Sequence, residues 1–281
     1  GNTKNLIEKE NKSVFSTIIT TERPDKVSEA LLNGKIAIII DGCPFALILP
    51  SLINDYFKTP EDNFNKSINV SFTRIIRFVA FIITIFTPGI YIACITYNQE
   101  MLPTEFLINF ASQRSSVPFP AFFEAILMAL SFEILRESDL RMSNFASSAL
   151  SIVGALILGE AAVNAGIVSP IMIIIISVTA ITGFLFTEPE ITNGIRWYRI
   201  LFMIGASLMG IIGVTMVFIY FITKLCSLYS FGKPYLMPFT PFNLTGIKNS
   251  IIKLPNKKLN KREEYLSKNS TKYKEKKICE K

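Results

Sequence analysis

The stretch MSNFASSALSIVGALILGEAAVNAGIVSPIMIIIISVTAITGFLFT, residues 142 to 187, carries one charged side chain, Glu160, in 46 positions. A bilayer crossing needs about 20 apolar residues, so the run is too long for one helix and right for two joined by a tight turn. Asn164-Ala165-Gly166 supplies the turn and Ser169-Pro170 opens the next helix. The spacing predicts two spans, at 145–163 and 167–186. Two further runs lie on either side. Ile75 to Tyr97 has 23 residues whose single charge, Arg77, stands near its start beside Arg74. At 1.5 Å per residue that is about 34 Å of helix, enough for a bilayer core. Thr87-Pro88-Gly89 predicts a kink in its second half. Ile200 to Thr223 adds 24 uncharged residues between Arg199 and Lys224, with Trp197 and Tyr198 as interfacial anchors at one border. The expected fold class is mainly α: a multi-pass helical membrane protein with four spans, preceded by the end of a small α/β soluble domain.

Composition agrees. Half of the 281 residues are hydrophobic, 18% are charged, and the mean hydropathy is +0.40. Histidine is absent, which removes Ser/His/Asp and Cys/His nucleophile systems, HExxH zinc sites and imidazole relays. The four cysteines are too far apart for a CxxC pair, and no disulfide framework or metal site is expected. No glycine cluster forms a nucleotide-binding loop, and no cofactor is called for. The net charge of +7 sits in the last 29 residues, where eleven Lys or Arg face four Glu from Lys253 to Lys281.

Outside the spans the reading is as follows. Glu22 to Gly34 reads as a helix with Val27, Ala30 and Leu31 on one face, and Lys35–Ile40 and Pro44–Leu49 as two strands around a turn at Asp41-Gly42. Pro44 is expected at a sheet edge, where no amide is needed. Thr59-Pro60-Glu61-Asp62 carries helix-start signals and is read as leading into the first span. Residues 1–58 thus close a cytoplasmic α/β domain, 59–226 form the membrane domain, and 227–281 form a basic tail. The chain is expected to begin inside a longer protein.

The segment 103–136 resists a simple reading. Phe106, Leu107, Phe110 and Ala111 share one stripe of an interfacial helix. Phe119 to Leu135 is apolar but holds Glu124 and Glu133, which nine residues of helix put on opposite faces, each costing about 3 kcal/mol at mid-bilayer. It is read as re-entrant or peripheral, with a fifth span as the alternative. Positive residues set the orientation. The basic tail belongs in the cytoplasm, and four spans return the N-terminal end to that side.

Three carboxylates, Glu160, Glu124 and Glu133, are the candidates for an ion pathway or gate, because intramembrane acids are costly enough to suggest use. The competing reading of Glu160 is an acid one turn from the Asn164 turn that reaches headgroup water. Ala155, Gly159, Ala162 and Gly166 form a small-residue stripe on the second span, and Ala206, Gly210 and Gly213 one on the fourth, for helix packing within or between subunits. The lysine-rich tail is read as attracted to anionic lipid, not nucleic acid.

Six strings carry a resemblance: ERPDKVSEALLNGKIAIIIDGCPFALILP from Glu22, TPEDNF from Thr59, LPTEFLINFASQRSSVPFP from Leu102, FEILRES from Phe132, SIVGALILGEAAVNAGIVSPIMIIIISVTAI from Ser151 and SFGKPYLMPF from Ser230. Together, from about residue 20 to 242, they resemble the A subunit of nutrient germinant receptors, the GerA family of spore germination proteins. Cys43 stands where a small hydroxyl residue is expected. The resemblance implies a subunit of the spore inner membrane that assembles with a transporter-like B subunit and a lipoprotein C subunit, as a homo-oligomer, to transmit a nutrient signal and form or gate ion release. It implies no catalysis. An autonomous ion-coupled transporter and a structural scaffold are the alternatives; the lack of internal repeats disfavours the first.

Overall fold

The computed structural model describes residues 2–8, 13–141, 159–186 and 188–253. In chain order its elements are α1 (Asn2–Ile7), β1 (Ile19–Thr21), α2 (Pro24–Leu32), β2 (Ile36–Ile39), β3 (Ala46–Leu49), α3 (Ser67–Thr96), α4 (Thr104–Arg114), α5 (Ala121–Arg141), α6 (Pro170–Gly183), α7 (Pro189–Ser227), β4 (Tyr229–Ser230), β5 (Lys233–Pro234) and α8 (Leu244–Ile251). Short 3-10 turns cover Ile53–Phe57, Pro60–Asn63 and Gln99–Met101. Among the described residues two compact units form. One draws on the chain up to Phe78, on Glu188–Asn193 and on residues from Ile222; the other draws on Val79–Thr187 and Gly194–Phe221.

In the first unit an antiparallel sheet in the order β1-β3-β2 carries α2. The expected hairpin is present, with Ile36 opposite Leu49 and Ile38 opposite Leu47, and Gly42 adopts the positive φ its turn requires. β3 is the central strand, which explains its unbroken apolar run: Leu47, Ile48 and Leu49 are all buried. Pro44 is not on an edge strand. It stands in the connection ahead of β3, where its missing N–H costs no ladder bond. β1 is too short and too rich in threonine to stand out in the sequence. On α2 only Ala30 is buried, and Leu31 faces outward.

Residues 227–253 belong to this unit as well, contrary to the reading of 227–281 as a tail. The Tyr235 side chain is fully buried, its backbone N–H donates to the Leu228 carbonyl at 2.9 Å, and its own carbonyl accepts from the Ile53 N–H at 3.0 Å. Ser230 Oγ accepts from the Ser51 N–H and donates to the Thr17 carbonyl. The start of α7 is held here too. Lys4 pairs with Glu190 at 2.9 Å, Lys26 pairs with Glu188, and the Thr20 N–H donates to Glu190. Both ends of α7 therefore lie in one compact unit.

In the second unit α5 packs along α6, and α4 also touches α6. The α5 face that is buried carries Ala121, Ala125, Met128 and Ala129, a helical stripe of small residues with one flexible side chain. Segment 119–135 therefore packs as part of the helical unit. Of the expected second span, 142–158 lies outside the described residues and 159–164 is helical. α6 has 14 residues, shorter than the expected 167–186 span, and at about 21 Å it does not by itself reach across a bilayer core. Gly183 and the turn that follows end it early. Among the described residues two helices, α3 and α7, are long and apolar enough to cross a membrane.

α7 is not one straight rod. Gly210 has φ 62° and ψ −136°, outside helical geometry, and the backbone turns back there. Tyr198 and Phe221 meet edge to face at 4.6 Å between ring centroids, and Phe86 of α3 touches both Phe202 and Phe218. The expected fourth span, 200–223, is a helical hairpin with arms 189–209 and 211–227.

Candidate functional site among the buried charges

The first turn of α5 places Glu124 inside the helical unit, where it is 1% exposed. Its Oε1 accepts from Arg114 Nη2 at 3.0 Å, and its Oε2 accepts from both the backbone N–H of Ser169, at 3.0 Å, and Ser169 Oγ, at 2.9 Å. Ser169 stands at the N-cap position of α6, with its hydroxyl turned to Glu124, and Arg114 closes the last turn of α4. One carboxylate thus ties three helices, and its charge is met both by a guanidinium and by the positive end of a helix dipole. Tyr91 of α3 is buried close to Ser169, but its hydroxyl has no hydrogen bond of good geometry among the described residues.

Glu133, further along α5, pairs with Arg196 and, at 3.8 Å, with Arg199, both from the first arm of α7. The two α5 carboxylates thus point to different partners, as nine residues of helix require. Neither is a bare charge in lipid. Glu160 is exposed in the short helical stretch 159–164. The three candidate acids do not converge on one site.

The small-residue stripes fare differently. Ala155 lies outside the described residues. Gly159 is buried, and a Cβ there would meet Ile173 of α6 at 3.8 Å, an ordinary contact within the same chain. The Ala162 carbonyl accepts from the N–H groups of Ile167 and Val168, ending the helix, and Gly166 has φ 65° in the following turn. Gly166 is therefore a turn residue, not part of a helical face. Ala206, Gly210 and Gly213 do not form one stripe either, because Gly210 breaks the helix. Ala206 is fully buried, and Gly213 faces Gly205 across the hairpin so closely that a Cβ on Gly213 would lie 1.9 Å from the Gly205 carbonyl oxygen. Gly205 is not among the sequence candidates, because its pairing with Gly213 depends on the turn at Gly210, which the sequence does not signal.

The hairpin tip has its own polar lock. Asn98, just past the end of α3, accepts from the Ile211 N–H at 3.1 Å through Oδ1. That N–H is an unpaired donor at the start of the second arm, so Asn98 caps it from another element. Gly210 is needed there, since a Cβ would lie 2.6 Å from Asn98 Oδ1 and 2.7 Å from Tyr97 Cβ.

The first unit holds a separate charged centre. Arg74 Nε donates to Asp62 at 2.9 Å, Arg77 Nη1 donates to it at 3.1 Å, and Arg77 also reaches the Phe57 carbonyl. These arginines are buried and paired, not free interfacial anchors at the head of a span. Lys253 Nζ donates to the carbonyls of Asp62, Asn63 and Asn65. Those contacts, with the Asp62 side chain accepting from Thr59, close Pro60–Asn63 as a separate 3-10 turn, so the helix expected to run on from Thr59 begins afresh at Ser67. Burial alone would raise the Asp62 carboxyl, but the hydrogen bonds from Arg77 and Arg74 outweigh it and hold the group below the usual carboxylate range.

Comparison with known proteins places these features in a family. The sequence pattern described as Bacillus/Clostridium GerA spore germination protein matches residues 1–265. Spore germination protein KA of Bacillus subtilis (strain 168) is 44% identical over 255 residues, 91% of this chain and 47% of that protein. Spore germination protein B1 of the same organism is 38% identical over 262 residues, 93% of this chain and 54% of that protein. A third relative there, called uncharacterized membrane protein YfkQ, is 38% identical over 255 residues, covering 91% of this chain and 50% of its own. The chain spans about half the length of the curated relatives it matches. No solved structure matches it. The chain belongs to the GerA family of spore germination proteins.

Proposed function

We propose that this chain is the membrane-embedded portion of the A subunit of a nutrient germinant receptor, and that its helical unit transmits the germinant signal and forms or gates an ion-release pathway. The observation that carries this reading is the buried group Glu124–Arg114–Ser169. Its members join the last turn of α4, the first turn of α5 and the N-terminus of α6, and Glu124 is almost wholly enclosed. Keeping such charges out of water costs several kcal/mol per ion unless they are paired, roughly as much as a domain's whole margin of stability can bear. A carboxylate whose partners sit on the ends of two other helices couples any shift of α4 or α6 to an exposed or uncovered charge, which is what a gate for cations requires.

The relatives' names speak of spore germination, which supports a place in the spore inner membrane beside a transporter-like B subunit and a lipoprotein C subunit. Assembly as a homo-oligomer and attraction of the basic residues after Lys253 to anionic lipid belong to the same reading. The same reading keeps both ends of this chain on the cytoplasmic side, as the basic residues after Lys253 favour.

The test is Glu124→Gln in the full-length protein, with Glu160→Gln as the comparison. Slowed or unregulated cation release after nutrient addition, at normal membrane abundance, is expected for Glu124→Gln and not for the exposed Glu160. A wild-type release profile in the Glu124 variant would remove the gate role.

A further inference from the structure

We propose that the outward faces of α8 and of the first turns of α3 form one surface that rests in the headgroup–acyl boundary of the bilayer. The proposal rests on the membrane-embedded reading of this chain given above. Both helices are inside out for a domain in water. On α8 the side turned to the protein carries Gly246 and Ser250, both buried. Its outward side carries Leu244, which is 63% exposed, with Ile247 and Ile251 at spacings of three and four, both half-buried. On α3 the buried side carries Val70, Arg74 and Arg77, the two arginines meeting Asp62. The opposite side shows Ile68 and Phe72, exposed by 84% and 67%, and then Ile75, at spacings of four and three. A helix in water turns its large apolar side chains inward and its charges outward, so contiguous apolar faces of this kind mark a surface that something apolar covers. Two hydrogen bonds fasten the two helices to each other. Arg74 Nη1 donates to the Asn249 carbonyl at 2.9 Å, and the Lys253 N–H donates to Ser71 Oγ at 3.0 Å.

The surroundings select lipid over a protein partner. α3 is one of the two helices long and apolar enough to cross a membrane, and its outward stripe continues from Ile75 through Val79 and Ile82 at the same spacing, exposed throughout. The face at its base prolongs the face that the span turns to acyl chains. Ile68 stands seven residues before Ile75, where the sequence places the start of the span. That is about 10 Å of helix, and interfacial helices bury their apolar side to about 5–10 Å. The cations are placed to meet headgroups. Lys66 is exposed just ahead of α3, and Lys248 is exposed on α8 one turn from Leu244. Long lysine side chains beside an apolar face reach out to phosphate, and the basic run after Lys253 follows α8 in the chain.

The experiment uses the full-length protein in liposomes of phosphatidylglycerol and phosphatidylcholine, with the native cysteines replaced by serine. A fluorophore is attached to a single cysteine introduced as Ile68→Cys, Phe72→Cys or Leu244→Cys. All three positions are exposed, so the changes leave the packed side of each helix intact. Quenching by lipid with a nitroxide near the headgroup is compared with quenching by aqueous iodide. Two references bracket the result: Ile82→Cys on the outward stripe further along α3, and Ser28→Cys on the exposed side of α2. Labels at Ile68, Phe72 and Leu244 are expected to lose fluorescence to the nitroxide lipid and little to iodide, while Ser28 shows the reverse. Iodide reaching those three labels as it reaches Ser28, with Ile82 shielded, would overturn the proposal and leave the membrane-embedded reading standing. Iodide reaching Ile82 as well would overturn both. Protection of the three labels from both quenchers would mean that protein covers this surface, and would also overturn the proposal.

Discussion

Tyr198 and Phe221 stand on opposite sides of Gly210 in one run of helical backbone, and their ring centroids are 4.6 Å apart. In a straight helix they would be separated by about 34 Å. The contact makes α7 a closed hairpin and brings its two ends back together. Topology follows from that closure. With the native cysteines replaced by serine, cysteines at Asn193 and Tyr229, both exposed, are expected to react with an impermeant maleimide from the same side of the membrane. Reaction from opposite sides would restore the single straight span.

The hairpin closes on two glycines, and the available space differs sharply between glycines that look alike in sequence. Gly213→Ala puts a methyl group into the Gly205 carbonyl, whereas Gly159→Ala meets only Ile173 at contact distance. Overpacking of this kind costs about 1–3 kcal/mol or more. Thermal unfolding in detergent should show a clear loss for Gly213→Ala and little change for Gly159→Ala. Equal shifts would mean that the two arms do not touch there.

Much of this was legible from sequence, and the misses have physical causes. The α2 and β2–β3 readings rest on local signals, Pro24, Asn33-Gly34 and Asp41-Gly42, and the structure agrees with them. The apolar run 200–223 gave no hint of a turn because the turn needs no polar residue: Gly210 supplies the conformation, and the polar cap, Asn98, comes from far away in the chain. Glu124 was read as peripheral because burial of an acid is decided by its partners. Arg114 lies ten residues before it, and the backbone N–H of Ser169 carries no signature in sequence. Glu160 attracts attention as the lone charge of a long run, yet its position one turn before Asn164, where the helix ends, leaves it exposed.

Asp62 governs how the first unit responds to acid. Its folded-state value is below the ordinary one, so its contribution is complete at neutral pH and is lost as the pH falls through that lowered value. Asp62→Asn would leave Arg74 and Arg77 buried without their carboxylate and should cost about 3–5 kcal/mol. Acid-unfolding curves should converge for wild type and variant at low pH and separate towards neutral. A constant difference across the range would assign the loss to packing instead.

Arg114 and Glu124 should behave as one unit. Either single change, Arg114→Gln or Glu124→Gln, strands a buried charge, while the double change removes both. Their combined cost should fall short of the sum by about 0.5–3 kcal/mol, the range for residues in direct contact. Additive effects on thermal stability would show that the ion pair has no energetic weight.

The most direct test of the functional reading is nutrient-triggered cation efflux from proteoliposomes holding the full-length A subunit with its B and C partners, compared with the A subunit alone. The expected result is efflux that depends on nutrient in the complete assembly, is absent or unregulated for the subunit alone, and is lost or made constitutive by Glu124→Gln. Nutrient-gated efflux that is unchanged by Glu124→Gln, or a complete assembly that binds nutrient and passes no cation, would contradict it.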